Sequence, residues 1–451
     1  MKTNPLAYLD LSPWLPAQPE SGGGLDGDLD VDVLIVGGGL TGLSTALSLR
    51  AEGASVAILE RDTIGAGASG RNAGHLTPTI GKDLPTLLRM FGRDRARALV
   101  RLADDAVGYA EQLIEKHSIE CEYEANGNIL AGLHPKHEQS LRAAAAAALA
   151  LGGEVDFLDR GAMRERGLPA AFTSGALERR GGILHPGLYV AGLRRAAQDM
   201  GVRIFEGVQI ERLIDGQRPV AECEGGRVTA SSAVLATNAY TTSFGWMPRR
   251  VVPLRVSLFE TEPLEPDELQ ALGWSGREGI YTAHEMLESY RLTARGSIVG
   301  GSKIVRYAYG SGLAEGYDEA AFRFIEAAFR SRFPTLADRP IAHFWGGWIG
   351  LTLDFLPRIG STQPTGRVFH GIGYAGHGVA QASLMGALLA DRIAGREHPC
   401  EAALRRRAFD WPPEPLRAAA ARAVVGALSY LDRRTDRQIQ RLGSAVGSGE
   451  G

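Results

Sequence analysis

Three glycines at fixed spacing, Gly37, Gly39 and Gly42, lead into a second apolar run that ends in an acid, Glu60. These residue types in this order can hold a dinucleotide. Gly37 allows a tight turn, Gly39 lets backbone approach a pyrophosphate, and Gly42 lets a helix pack closely on a sheet. The first helical amides, at Leu40 and Thr41, face the phosphates with a positive dipole end. Glu60 accepts hydrogen bonds from a ribose diol, with Arg61 beside it. FAD and NAD both satisfy this pattern. Two further segments bring polar groups into glycine turns: Gly65-Ala-Gly-Ala-Ser-Gly-Arg-Asn-Ala-Gly74, followed by His75, and Gly373-Tyr-Ala-Gly-His-Gly-Val379. No Ser/His/Asp arrangement, metal-ligand spacing or P-loop accompanies them, and no metal site is expected.

The elements that must position these residues are legible from periodicity. Val33 to Val36 read as a buried strand, Leu40 to Gly53 as a helix and Ser55 to Leu59 as the next strand, a βαβ unit. Helical periodicity recurs over Leu84 to Lys116, Lys136 to Leu151, Leu188 to Met200, Asp318 to Phe333 and Ala380 to Ile393. Tyr123 to Ala131 reads as strand–turn–strand around Asn126-Gly127. Val208 to Val234 reads as a small β-meander, and 250–262 and 278–305 alternate as strands. Residues 1–30, rich in Pro, Gly and Asp, read as a surface leader. The pattern predicts a nucleotide-binding domain assembled from separated segments, with a second domain inserted.

Composition narrows the class. A chain of 451 residues has room for two to three domains. A net charge of −3 disfavours a nucleic-acid partner. Cys121, Cys223 and Cys400 are far apart and form no CxxC, as expected of a cytoplasmic protein without structural disulfides. The most apolar run, Ala143 to Leu151, is too short to span a bilayer. The tail beyond Trp411 carries Arg417, Arg422, Arg433, Arg434, Arg437 and Arg441 among Ala, Leu and Val. It is read as a packed surface helix or an oligomer contact in preference to a membrane-binding helix. The oligomeric state is left open.

The Gly65–Gly74 loop resembles the second flavin-contacting segment of the D-amino-acid-oxidase/sarcosine-oxidase superfamily, most closely its γ-glutamylputrescine oxidase branch. The resemblance runs from about residue 30 to 395. It extends to Val208 with its flanking strands, Ala236-Thr-Asn-Ala-Tyr240, Trp345-Gly-Gly through Asp354-Phe-Leu-Pro-Arg-Ile-Gly360, and Gly373 to Val379. It implies an α/β (α+β) fold: a Rossmann-like FAD-binding domain from discontinuous segments (31–85, 180–240 and 345–395) and an inserted antiparallel-sheet substrate domain (86–179 and 241–344). A C-terminal helical extension (396–451) follows. It also implies FAD. Gly37, Gly39, Leu40, Thr41 and Gly42 would hold the pyrophosphate, and Glu60 and Arg61 the adenosine ribose. Val208 would meet the adenine edge through its backbone, with Thr237 and Asn238 nearby. Ala68, Ser69, Arg71, Asn72, Gly74 and His75 would pass beside the isoalloxazine. Gly376, His377, Gly378 and Val379 would place a helix N-terminus against its pyrimidine end, where reduction deposits negative charge.

The activity implied is oxidation of a C–N bond in an amine or amino-acid-derived substrate. The flavin takes a hydride, the imine hydrolyses to an aldehyde or keto product, and oxygen or another acceptor reoxidises the flavin. His75, Arg71, His377, Trp348 and Tyr374 are the candidate catalytic residues, with Trp345 and Tyr290 as further aromatic lining of an amine pocket. Many amino-acid oxidases of the superfamily carry an arginine in a GLRPxTxD segment that clamps the substrate carboxylate. Here it aligns with Ile349, which favours an amine, unless Arg255, Arg291 or Lys303 substitutes. The strand where sarcosine-oxidase relatives place an oxygen-site lysine reads Ser297-Ile-Val-Gly-Gly301. The position of a histidine that links flavin covalently aligns with Asn72, so FAD is expected to be non-covalent. Two other readings share the βαβ unit: an FAD monooxygenase using NAD(P)H, disfavoured by the lack of a second GxGxxG, and a non-catalytic flavoprotein subunit.

Overall fold

The computed structural model describes residues 8–16, 24–302, 304–362, 365–407 and 409–447. The strand Leu29–Val36 is apolar on both faces from Val33 onward because helices cover one face and a β-meander the other. It lies at the centre of an eight-stranded sheet. Val56–Leu59 and Gly226–Leu235 pair with it in parallel, one on each side. Arg203–Phe205 and Val368–Ile372 continue the parallel order outward, and Arg358–Ser361 closes one edge antiparallel. The helices Leu40–Ala51, Leu84–Lys116, Pro186–Asp199 and Gly378–Ile393 bury Leu43, Leu47, Leu99, Leu193 and Leu388 against one face. This parallel sheet puts the carboxyl ends of its strands, and so the glycine turns, at one crevice.

A second sheet has nine strands. At one end of it, Val252–Thr261 and Ile341–Leu351 form a long antiparallel pair. Only Gly279–Thr282 beside Asn128–Gly132 is parallel among its described pairings. The helix Glu319–Arg332 buries Phe322 and Phe329 under this sheet, where Phe259, Phe333 and Trp274 complete an aromatic core.

Four expectations need correction. The stretch Tyr123 to Ala131 gives one strand, Asn128–Gly132; its first arm makes only a single bridge, from Glu124 to Ile183. The segment from 345 does not start in the nucleotide domain, because Ile341–Leu351 pairs along its length with Val252–Thr261. The helix Leu84–Lys116 is not part of the substrate domain's core; its apolar face packs on Gly378–Ile393. Residues 8–16 of the leader are not a surface strap, whereas 24–30 are largely exposed as expected. Ser12 is buried and donates to the Gly70 carbonyl at 2.6 Å, and Trp14 packs edge-on against Trp345.

The tail forms one helix, Leu416–Gly447. It docks through acids on its inner face: the Asp432 carboxylate accepts from the Glu285 and Met286 amides at 2.9 and 3.0 Å. Arg332 bridges Glu288 and Asp436 at 2.9 and 3.1 Å. Arg422, Arg433, Arg434 and Arg437 are exposed, whereas Arg417 is buried and donates to the Tyr307 hydroxyl at 2.7 Å. No helix among the described residues is long and apolar enough to cross a membrane.

Candidate active site

One cavity of 990 Å³ runs between the two sheets, at the top of the range for small-molecule sites. Every nucleotide-side residue singled out in the sequence lines it except Gly42 and Gly74. Those two stand directly behind its wall. A Cβ on Gly42 would lie 2.1 Å from the Gly37 carbonyl oxygen, and one on Gly74 would lie 2.2 Å from that of Leu184. Gly42 is therefore where helix and turn touch, with no space for a side chain.

The nucleotide side is held by its own hydrogen bonds. Gly39 caps Leu40–Ala51 in extended conformation without a side-chain cap bond, which leaves the helix end open to a ligand. The Leu40 amide donates to Ser69 Oγ at 2.9 Å, joining the two glycine loops. Glu60 accepts from the Gly38 and Asp62 amides at 2.8 and 2.9 Å, although burial pushes its carboxyl pKa up. Arg61 pairs with Asp62 at 2.8 Å and stands over the Tyr240 ring. The Val208 amide is already given to the Glu60 carbonyl at 2.9 Å. Asn72 fastens its loop by donating to the Ala68 and Ser69 carbonyls while accepting from the Gly74 amide. Thr237 bonds Thr241, and Asn238 Oδ1 accepts from the Gly373 amide at 2.9 Å.

The candidate catalytic side chains divide. Arg71 lines the cavity, but its guanidinium donates to the carbonyls of Ala66, Asp10 and Gly346 at 2.6, 2.8 and 2.9 Å. It ties the loop to the leader and to the Ile341–Leu351 strand. The Tyr374 hydroxyl is 2.6 Å from Thr41 Oγ1, so it braces the first glycine loop from across the cavity. Trp348 lines the cavity, and its buried indole N–H has no partner among the described residues. His377 caps Gly378–Ile393 without a side-chain cap bond, and burial lowers its pKa to about 4.

His75 is the most informative. Asn128 Nδ2 donates to the Leu76 and Gly182 carbonyls at 3.0 and 3.1 Å, which turns its Oδ1 toward His75 Nδ1 at 2.9 Å. That orientation makes Nδ1 the protonated nitrogen and leaves Nε2 with its lone pair. Nε2 is buried and has no partner among the described residues. Burial lowers the His75 pKa to about 4, so the ring is neutral above that pH. Gly279 makes room for the pair: a Cβ there would lie 2.1 Å from Asn128 Oδ1 and 2.4 Å from His75 Nδ1.

Several expected lining residues lie elsewhere. Trp345 and Tyr290 are fully buried outside the cavity, Trp345 beside Trp14 and Leu258, Tyr290 against Phe333. Leu254, Val256 and Leu258 face the cavity, so Arg255, one step out of phase, does not; it reaches Tyr8 at 3.2 Å. Arg291 also lies off the cavity and donates to the Ala73 carbonyl at 2.7 Å. Lys303 lies outside the described residues. Ile349 does line the cavity, so the position of the carboxylate clamp is apolar. Sequence reasoning missed Asn128, Glu178 and Tyr281, which line or brace the far wall. Its only signal was polar residues inside otherwise apolar strands.

The donor set, the open helix ends and the filled space behind the glycines fit FAD. Comparison with known proteins decides the family: residues 32–392 match the FAD dependent oxidoreductase family. The chain belongs to that family. Gamma-glutamylputrescine oxidoreductase of Escherichia coli (strain K12) is 29% identical over 374 residues, which cover 82% of this chain and 85% of that protein. A probable oxidoreductase of Rhizobium meliloti (strain 1021) is 28% identical over 382 residues, with 82% and 85% covered. The fold resembles glycine oxidase from Geobacillus kaustophilus, with a TM-score of 0.69 at 21% identity over 82% of this chain and 96% of that one. This FAD-dependent oxidoreductase thus keeps its relatives' architecture across the span that lines the cavity.

Proposed function

We propose that the protein oxidises an amine at the carbon next to nitrogen, using non-covalently held FAD. The observation that carries this reading is the substrate side of the cavity: it is apolar at Ile349, Leu254, Val256 and Leu258 and offers the free Nε2 lone pair of His75. The relatedness to gamma-glutamylputrescine oxidoreductase supports it. Non-covalent binding is supported by the cysteines, none of which lines the cavity; Cys400 points to Asp105 at 3.2 Å.

FAD, when bound, supplies the two-electron acceptor for the substrate C–H bond. The amine must be uncharged so that its lone pair supports the cation left on carbon. Apolar walls favour that form by desolvation. His75 Nε2 accepts an N–H of the neutral amine and orients its α-carbon, while Asn128 keeps the lone pair aimed inward. Loss of hydride leaves an iminium, which loses a proton; water then hydrolyses the imine to a carbonyl compound and the free amine or ammonia. Open helix ends at Gly39 and His377 supply N–H donors where negative charge gathers. Anaerobic mixing of the yellow holoenzyme with a panel of amines and amino acids tests this. Bleaching by amines and not by α-amino acids is expected. Bleaching by α-amino acids alone, or by NADPH alone, refutes it.

A further inference from the structure

The far wall of the cavity holds an acid that nothing in the site so far uses. Glu178 lies on the strand Ser174–Glu178, directly opposite Asn128 in antiparallel register. Directly opposed residues project to the same face with Cα atoms about 5 Å apart. Glu178 therefore shares the cavity face with the Asn128–His75 pair. Its Oε2 is buried, and its carboxyl has no cationic partner among the described residues, only the Tyr281 hydroxyl beside it. Beside it stands the buried Tyr281, whose ring meets His75 edge-on at 6.4 Å between centroids. Asp104 and Glu154 line the same cavity. The lining cations are Arg61, fixed on Asp62, Arg71, fixed on carbonyls, Lys82, which stands over the Phe355 ring, and Arg89, which donates to Thr86.

A buried carboxylate without a counter-charge is costly, and folded proteins pair such groups or reserve them for a ligand. The same cavity has an aliphatic side chain, Ile349, where a carboxylate clamp would stand. The polarity of recognition is inverted at these two positions: the clamp position offers an anionic group nothing, and Glu178 offers a cationic one a counter-charge. We propose that Glu178 is a subsite for a second ammonium group, so that the substrate class is a diamine or a longer polyamine. One nitrogen lies at His75 Nε2 and its α-carbon is oxidised; the other, protonated, pairs with Glu178. Tyr281 bounds the methylene path between them.

This rests on the amine reading above, and the test separates the two. Anaerobic flavin reduction is measured for holoenzyme and for Glu178→Gln, with diaminobutane and with butylamine, alongside the melting temperature with each amine. The wild type is expected to prefer the diamine at least tenfold in second-order reduction rate. Glu178→Gln, which keeps the volume beside Tyr281, is expected to cut that preference at least tenfold while retaining FAD. The diamine alone is expected to raise the wild-type melting temperature. An unchanged preference in Glu178→Gln, or equal reduction by both amines in the wild type, overturns the subsite and leaves amine oxidation standing. A diamine-specific melting shift that Glu178→Gln abolishes, without reduction by any amine, sustains the subsite and overturns amine oxidation. Neither shift nor reduction overturns both.

Discussion

The two walls of the cavity treat their polar groups differently. On the nucleotide wall, Glu60, Ser69, Asn72, Thr41 and Asn238 are satisfied by backbone or by one another. On the substrate wall, His75 Nε2 and Trp348 Nε1 are buried with no partner among the described residues, and Glu178 has only the Tyr281 hydroxyl beside it. The first wall's side chains are satisfied before any ligand arrives, so folding sets their geometry and leaves only the helix ends at Gly39 and His377 open. The second carries unmet hydrogen-bonding capacity, which costs stability and is recovered only against a substrate. The difference separates a cofactor that stays from a reactant that leaves.

The largest break of that contrast falls on the satisfied wall. Gly42→Val would drive a side chain into the Gly37 carbonyl, 2.1 Å from where a Cβ must sit. The variant should purify colourless and inactive, read by the ratio of flavin to protein absorbance, with circular dichroism confirming that it folds. Full FAD content would show that the turn tolerates what the geometry forbids. A smaller effect follows from the unpaired wall. His75→Leu should keep its FAD yet slow anaerobic flavin reduction by about a hundredfold, the usual contribution of one positioned proton acceptor. Asn128→Leu should act in the same direction but less, because the imidazole remains and only its tautomer is released. If His75→Leu loses flavin in proportion to rate, the residue belongs to the cofactor wall instead.

The same contrast explains what was legible in the chain. Glycine turns, a strand end and a helix start are local, so Gly37 to Gly42, Glu60 and Gly376 to Val379 announce themselves by spacing. The substrate wall is assembled across strands far apart in sequence. Asn128 meets His75 only because the His75–Leu76 and Gly182–Ile183 pair brings the Leu76 and Gly182 carbonyls to its amide. Glu178 looks like an edge-strand charge until its register opposite Asn128 is known. Trp345 and Trp348 illustrate the limit: Trp345 shares the face of cavity-lining Leu258 yet is sealed behind Trp14, whereas Trp348, opposite Arg255, still borders the cavity. Arg71 was legible as a loop cation, but its carbonyl partners on the leader and on the Ile341–Leu351 strand were not.

The smallest expected effect concerns stability. Burial raises the Glu178 pKa to about 7, against about 4.5 for the free carboxyl. The folded state therefore holds its proton more tightly than the unfolded chain, so this group destabilises the fold progressively as pH rises from about 4.5 to 7. Glu178→Gln removes the titration. Relative to wild type it should gain about 1–2 kcal/mol at pH 8, the scale of an unpaired buried polar group, and almost nothing near pH 4.5. His75 works in the other direction: its pKa is lowered to about 4, so its contribution is lost as pH falls through the range below its usual value of 6.5. Comparing variant with wild type at each pH cancels that background. Melting curves across this range should show the two proteins converging in acid and separating above neutrality. A variant that melts below wild type at pH 8 would mean that Glu178 is already satisfied in the folded chain, and the unpaired wall would then lose its clearest member. A variant that melts higher but no longer favours the diamine would show stability held back for binding.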